Sequence, residues 1–393
     1  MKVKSFFYIS FFIISVFWGS IGLLSENNNI LNIIKSCSFG LDNEEELVIY
    51  DKNNRFCISD SGYVFISNSY KNNICKFTLD GKFITRFGQK GEGPGDLYAP
   101  GNMSILNNKY ILVEEYATKR RISMFDLNGK FIKIIRTKKS VWHIGVLNKN
   151  NIYYLNEKIV NNENIFFYGH KSNVIIKSLK SNKETVILKH HFIKSNYMDK
   201  KVLVFALGKA RGCMKIVSLP LGELFIAITD TPIIKKISYR GELKKTIYLK
   251  LLPKSINKNI IKKYKNYTIK FFLKDVKNNN RMSASYKNKF INSIKSLPYE
   301  KFFDKYLPYY DDFLVDKNGN IIIIINSWWS KDIWVKLYSS KDGSLIKQKK
   351  YIDKRYKFDT KKLVYSPKYG LYGFFQKRDS EDVDIRIVKL DWD

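Results

Sequence analysis

Short runs of alternating apolar and polar residues fill most of this chain, and turn-forming residues punctuate them. One phrase occurs twice, first as Lys76-Phe77-Thr78-Leu79-Asp80-Gly81-Lys82-Phe83-Ile84 and then as Ser123-Met124-Phe125-Asp126-Leu127-Asn128-Gly129-Lys130-Phe131-Ile132. Each copy is an apolar strand, an Asp-Gly or Asn-Gly turn and a second strand, the strongest short-range hairpin signal a sequence carries. Weaker copies lie at Ile237–Leu243 and Leu337–Leu345, and at Ile176–Glu184, where Asn182 stands in place of Gly. Asn also visits positive φ, so that turn is expected to form as the others do. Each copy follows an earlier apolar run, at Tyr63–Ser67, Tyr110–Val113, Ile152–Leu155, Leu224–Ile228 and Ile321–Ile325. The result is five similar units.

The first two copies are about 48 residues apart, the length of one four-stranded blade of a β-propeller. A sixth unit is incomplete: Gly370–Phe375 reads as its second strand and Ile385–Leu390 as its third, but no fourth follows. The apolar segment Glu46-Leu47-Val48-Ile49-Tyr50 has no blade of its own and is expected to supply that outer strand. Closing the ring in this way leaves no unpaired edge. The fold predicted is all-β, a six-bladed β-propeller closed by an N-terminal strand. Residues 1–25 form an export segment, 26–44 a linker and 45–393 the ring.

One stretch breaks the rhythm. Ile256, Ile260, Ile261, Tyr264, Ile269 and Phe272 suit a helical stripe, and Phe290, Ile291, Ile294 and Leu297 a second, with the polar run Lys277–Arg281 between them. A helical insertion over residues 254–305, between blades four and five, is therefore expected as a cap on the ring, with a lid or partner-docking element as the alternative.

Residues 86–100, Arg-Phe-Gly-Gln-Lys-Gly-Glu-Gly-Pro-Gly-Asp-Leu-Tyr-Ala-Pro, lead into Tyr110–Glu115 and Arg120–Asp126. This succession resembles the NHL-repeat type of six-bladed β-propeller, and in particular the secreted bacterial six-bladed propellers. Tyr306-Leu307-Pro308 through Asp316-Lys317-Asn318-Gly319-Asn320 matches the same group. The family usually has Asp after the second strand, where this chain has Asn68 in blade one and Glu115 in blade two.

Lys2 and Lys4 precede an apolar stretch from Phe6 to Trp18 that continues through Ile21 to Leu24, with small residues near its end. This is the layout of an export signal, and its length also allows an uncleaved anchor. The protein is thus expected to be exported, to the periplasm, the cell surface or the medium. The net charge of +33 is spread along the chain with abundant Asn, Ile, Tyr and Phe. Such a diffuse charge describes a solvated surface, yet its field concentrates anionic partners. Four cysteines, Cys37, Cys57, Cys75 and Cys213, allow three full pairings. Cys57 and Cys75 lie on the first and third strands of one blade, too far apart for a bond.

No nucleophile elbow, phosphate loop or Cys-x-x-Cys spacing is present. The glycines of Gly88–Gly95 join strand to strand and are expected to serve a crossing with positive φ. His143, His170, His190 and His191 share no repeat position, so no metal set and no cofactor are assigned. Carboxylates at strand ends, Glu114, Glu115, Asp230, Asp311 and Asp312, are placed to line a channel mouth. Adjacent Trp328 and Trp329 point to opposite faces of an extended chain, so one is free to stack on a ligand beside Asn326. The ligand-binding candidates are Trp328, Trp329, Asn326, Glu115, Arg120, Asp230, Trp142 and His143. The function expected is that of a non-catalytic monomer binding a protein or glycan, anionic ones included, through loops on one face. A metal-dependent lyase or hydrolase at the channel mouth is the alternative.

Overall fold

A computed structural model describes residues 33–38, 41–42, 45–46, 54–115, 120–161, 168–194, 197–199, 202–204, 214–219, 222–277, 283–296, 299, 308–326, 332–352, 356–377 and 385–390. Six four-stranded antiparallel sheets make up the ring. Near the N-terminus, β1 (Ile33–Ser38) is followed by the small pair β2 (Leu41–Asp42) and β3 (Glu45–Glu46). Blade one is β4 (Phe56–Ile58), β5 (Tyr63–Asn68), β6 (Asn73–Thr78) and β7 (Phe83–Phe87). Blade two is β8 (Pro100–Leu106), β9 (Tyr110–Glu115), β10 (Arg121–Asp126) and β11 (Phe131–Arg136). Blade three is β12 (Trp142–Asn148), β13 (Asn151–Asn161), β14 (Tyr168–Ser178) and β15 (Glu184–Lys194), followed by the hairpin β16 (Tyr197–Asp199) and β17 (Val202–Val204). Blade four is β18 (Met214–Leu219), β19 (Glu223–Ile228), β20 (Ile233–Ser238) and β21 (Leu243–Tyr248). Blade five is β22 (Asp312–Val315), β23 (Ile321–Asn326), β24 (Asp332–Tyr338) and β25 (Leu345–Ile352). Blade six takes β26 (Tyr356–Ser366), β27 (Gly370–Lys377) and β28 (Ile385–Leu390) from the C-terminal end and β1 from the N-terminal end.

The innermost strands β4, β8, β12, β18, β22 and β26 touch one another in order, and β26 returns to β4, so the ring is closed. Closure is by an N-terminal strand, as expected, but by a different one. Ile33–Ser38 pairs with β28 through Cys37↔Ile387 and Ser38↔Arg386. Glu45–Glu46 pairs with Leu41–Asp42 instead, and residues 47–50 lie outside those described. The ring therefore begins inside the stretch read as a linker.

Second strands are apolar without interruption because both of their faces are buried between neighbouring blades. On β5, Phe65 packs toward blade two, while Val64 and Ile66 pack toward blade six. On β23, Ile321 and Ile323 face blade four and Ile322 and Ile324 face blade six. Each of the six interfaces between adjacent blades has its own apolar cluster. The hairpin turns match the sequence: Gly81, Gly129, Gly241 and Gly343 have positive φ, and Asn182 takes φ 58° in the third blade.

The insertion lies between blades four and five as α1 (Lys258–Lys277) and α2 (Ala284–Lys295). Asn257 caps α1 by accepting the Ile260 N–H at 3.0 Å. Ile260, Tyr264 and Val276 are buried, and Tyr264 meets Tyr299 edge-on at 6.1 Å. α2 touches β17, so the two long inter-blade connections rest on each other.

Candidate functional site

In an antiparallel four-stranded blade, the first strand starts, the second ends and the fourth ends on the same face of the ring. That face therefore carries every inter-blade connection. It receives residues 88–99, the β16–β17 hairpin, the two helices, and the ends of β13 and β14, which extend past the start of β12 at Trp142↔Leu155. The opposite face carries the tight turns.

The mouth of the central channel on the loop-bearing face is built from the starts of the inner strands. Arg55 immediately precedes β4, Asn102 lies in β8, His143 is second in β12, Lys215 second in β18, and Asp312 opens β22. Bonds link them around the ring. Asn102 Nδ2 and the His143 backbone N–H both donate to Glu114 Oε2, at 2.7 and 2.9 Å. His143 Nε2 stands 3.2 Å from the Ile216 carbonyl. Lys215 Nζ reaches Asp312 Oδ2 at 3.0 Å.

Glu114 is buried at 1% exposure, and its Oε1 has no hydrogen-bond partner among the described residues. Burial pushes its carboxyl up to about 7, although Asn102, the His143 N–H and the positive charge of Arg55 pull the other way. His143 is exposed to the channel yet enclosed by the blades; this desolvation, with Lys215 nearby, pushes its imidazole below the ordinary value. Its backbone, at a bulge in the β12–β13 pairing, has φ 57°. A branched or bulky residue takes that conformation only when its surroundings impose it.

The expected residues divide sharply. His143 stands in the mouth, as do Glu114 and Asp312 of the strand-end carboxylates. Trp142 is half-buried against the cluster between blades three and four. Glu115 points away from the mouth, because neighbours on a strand alternate. Its carboxylate is committed: Arg121 Nε and Nη2 donate to it at 2.7 and 2.6 Å, Ser123 Oγ at 2.7 Å and the Tyr98 N–H at 2.9 Å. Arg121 also donates to the carbonyls of Gly91, Glu92 and Asp96, so this buried pair fastens the glycine-rich connection to blade two. Gly88 and Gly95 there have positive φ, as the crossing requires.

Arg120 and Asp230 are exposed in the connections that follow the second strands of blades two and four. Asn326 ends β23 opposite Ile333, and Trp328 and Trp329 lie outside the described residues. His190 and His191 pair with Ser172 and Lys171 on β14, and His170 with Ile159, all away from the mouth. Cys57 and Cys75 are buried and form no disulfide with each other, and desolvation pushes both thiols up to about 12. Among the described residues no group of three or more His, Cys, Asp or Glu gathers as a metal site. Arg55, Asn102 and Lys215 were not singled out from the sequence. The available signal was their shared position, a polar residue at the start of each blade's first strand.

No curated protein matches the chain. Among the solved structures that resemble it over most of both chains are two from Bacteroides. One, from Bacteroides fragilis, is named as a candidate exported protein; it is 12% identical, covers 93% of this chain and 98% of its own, and has a TM-score of 0.50. The other, a member of the DUF4221 family from Bacteroides vulgatus, is 13% identical, covers 91% and 97%, and has a TM-score of 0.52. At these identities the likeness is one of fold. Residues 27–206 match the model of a family described as 6-bladed beta-propeller. With six four-stranded sheets closed into one ring and that match across its N-terminal half, this chain is a six-bladed β-propeller.

Proposed function

We propose that the protein is an exported, non-catalytic propeller that binds a protein or glycan on the face around the channel mouth. The observation carrying this reading is the asymmetry of the ring. One face bears tight turns, whereas the other holds the glycine-rich connection, the extended third blade, the hairpin and the helices. Loops on a rigid scaffold are where binding residues collect. The apolar N-terminal segment supports export, and one structural neighbour is itself named as a candidate exported protein.

Asn326 ends a second strand and Asp230 and Arg120 follow two others, so these three belong to the same face by topology, and Trp328 and Trp329 come next after Asn326 in the sequence. Trp328→Ala and Trp329→Ala, tested by glycan array and pull-down beside Arg240→Ala in a turn on the opposite face, check the reading. At least one indole variant is expected to lose binding without a lower melting temperature, while the Arg240 variant binds as the parent does. Retention of every ligand by both indole variants, with only one melting lower, makes the pair structural.

The second reading, a metal-dependent lyase or hydrolase, draws on Glu114 and His143 meeting at the mouth. Stoichiometric metal in protein purified without chelators would favour it.

A further inference from the structure

The face above blades one to three combines features that the binding reading alone does not use. Ala99 and His143 are the two described residues other than Gly and Asn with positive φ, at 45° and 57°. Both stand at the starts of adjacent inner strands, so local strain is concentrated where β8 and β12 enter the channel. Ala99 is held by its N–H, which donates to Asn72 Oδ1 at 2.8 Å. That bond ties the turn after β5 to the connection before β8, and each of the two carries an exposed aromatic ring. Tyr70 is 72% exposed and Tyr98 41%.

His143 is held in one tautomer. A carbonyl oxygen only accepts, so the contact with Ile216 requires the proton on Nε2. Desolvation and then Lys215 disfavour a second proton on the ring, which leaves Nδ1 as an acceptor, and no group among the described residues bonds to it. The carboxylates nearby are withdrawn. Glu115 is paired with buried Arg121, Asp312 with Lys215, and Glu114 is closed to solvent. Arg120, next to Arg121 at the start of β10, is exposed, and Lys90 flanks Glu92, the exposed acid of the glycine-rich connection. The whole chain adds a field of +33.

We propose that this surface holds an acidic oligosaccharide: a ring face lies on Tyr70 and Tyr98, a hydroxyl donates to His143 Nδ1, and a carboxylate or sulfate meets Arg120. The inference rests on the binding face proposed above. Tyrosine rings favour the C–H face of a sugar, and a neutral acceptor favours a hydroxyl donor. A cationic ligand is opposed by Arg55, Lys215 and Arg120 together. Tyr70, Arg120 and His143 belong to blades one, two and three, and stacked sheets lie about 10 Å apart, so the contacts span more than one sugar ring and the ligand is an oligomer.

The test is titration of the folded protein, at about 0.15 M salt, where long-range attraction is screened. The probes are a tetragalacturonate, a heparin tetrasaccharide, maltotetraose and single-stranded DNA. One acidic tetrasaccharide is expected to bind at least tenfold more tightly than maltotetraose, and which one binds tells carboxylate from sulfate. Tyr70→Ala and His143→Asn are each expected to weaken it about tenfold, and Tyr248→Ala, on the outer strand of blade four, to leave it unchanged. Asn tolerates the left-handed backbone at position 143. Should that variant still fail to fold, Tyr70→Ala decides alone, since its ring lies in solvent.

The proposal is overturned if no oligosaccharide binds, if maltotetraose binds as well as the acidic ones, or if Tyr70→Ala retains full affinity. Equal binding of DNA and both acidic probes, insensitive to every variant, means attraction by net charge alone and overturns it too. If Trp328→Ala or Trp329→Ala abolishes binding while Tyr70→Ala does not, the binding face stands and this location on it falls. If variants at both places leave binding unchanged, both readings fail.

Discussion

Glu114 and Glu115 are chemically identical neighbours with opposite fates, because consecutive residues on a strand face opposite sides of the sheet. Glu115 meets Arg121, whereas Glu114 enters the channel wall with Oε1 unpartnered among the described residues. An ordinary value of 4.5 raised to about 7 makes Glu114 a pH-dependent liability. Between those values the folded protein holds a proton that the unfolded chain has released, so stability falls as pH rises from about 4.5 to about 7 and is flat outside that window. The loss attributable to this group is about 3 kcal/mol. The groups facing it are Asn102, the His143 N–H and Arg55, with Lys215 and Asp312 across His143. Glu114→Gln keeps an oxygen to accept both N–H donors and cannot ionise. Urea unfolding at several pH values is expected to show the parent's decline largely abolished in this variant, and the variant more stable than the parent at pH values above about 7. An unchanged slope refutes the assignment. The two glutamates were visible in the sequence as a pair; which one entered the mouth depended on a register known only once β8, β9 and β12 were assembled.

At the scale of elements, the most informative piece is the glycine-rich connection between blades one and two. It has no strand ladder of its own beyond the bridge Lys90↔Leu97, and Arg121 holds its carbonyls from inside. Removing the counter-ion strands a buried guanidinium. Glu115→Gln is therefore expected to lower stability by about 3 kcal/mol. Hydrogen exchange at the amides of Gly91, Gly93 and Leu97 is expected to accelerate more than at β5 or β6. Uniform acceleration across blade one would show that the pair acts on the whole blade and not on the loop. The hairpin turns were legible down to Asn182, because a positive-φ turn has a local chemical signature. Gly129 is a stringent case: φ is 90°, and a Cβ there would lie 2.6 Å from Phe87 Cδ1, so Gly129→Ala is expected to destabilise by about 1–3 kcal/mol in thermal melts. The helices were legible from their stripes and from the polar break between them. Their contact with β17 was not, since no local pattern encodes which distant loop a helix meets.

For the molecule as a whole, a ring of six blades depends on one seam. The sequence called for an N-terminal strand but pointed to residues 46–50, the more apolar segment. Ile33–Ser38, with Lys35 and two serines, carries a weaker signal, because an outer strand has one exposed face and little apolar pattern to show. A chain beginning at residue 27 is expected to melt cooperatively. One beginning at residue 41 leaves β28 as an open edge and is expected to aggregate or to lose its cooperative transition, checked by calorimetry and light scattering. Identical melting of the two would mean that the seam contributes nothing. The seam also imposes an order of events. β1 leaves the ribosome first and its partner β28 follows roughly 350 residues later, so the contact that completes the ring is also the one of greatest sequence separation. Until then the growing chain carries two unpaired edges, and β1 must wait without its partner while five blades assemble. The step most exposed to error in the life of this protein is thus set by its circular plan, and it falls after all the other blades have formed.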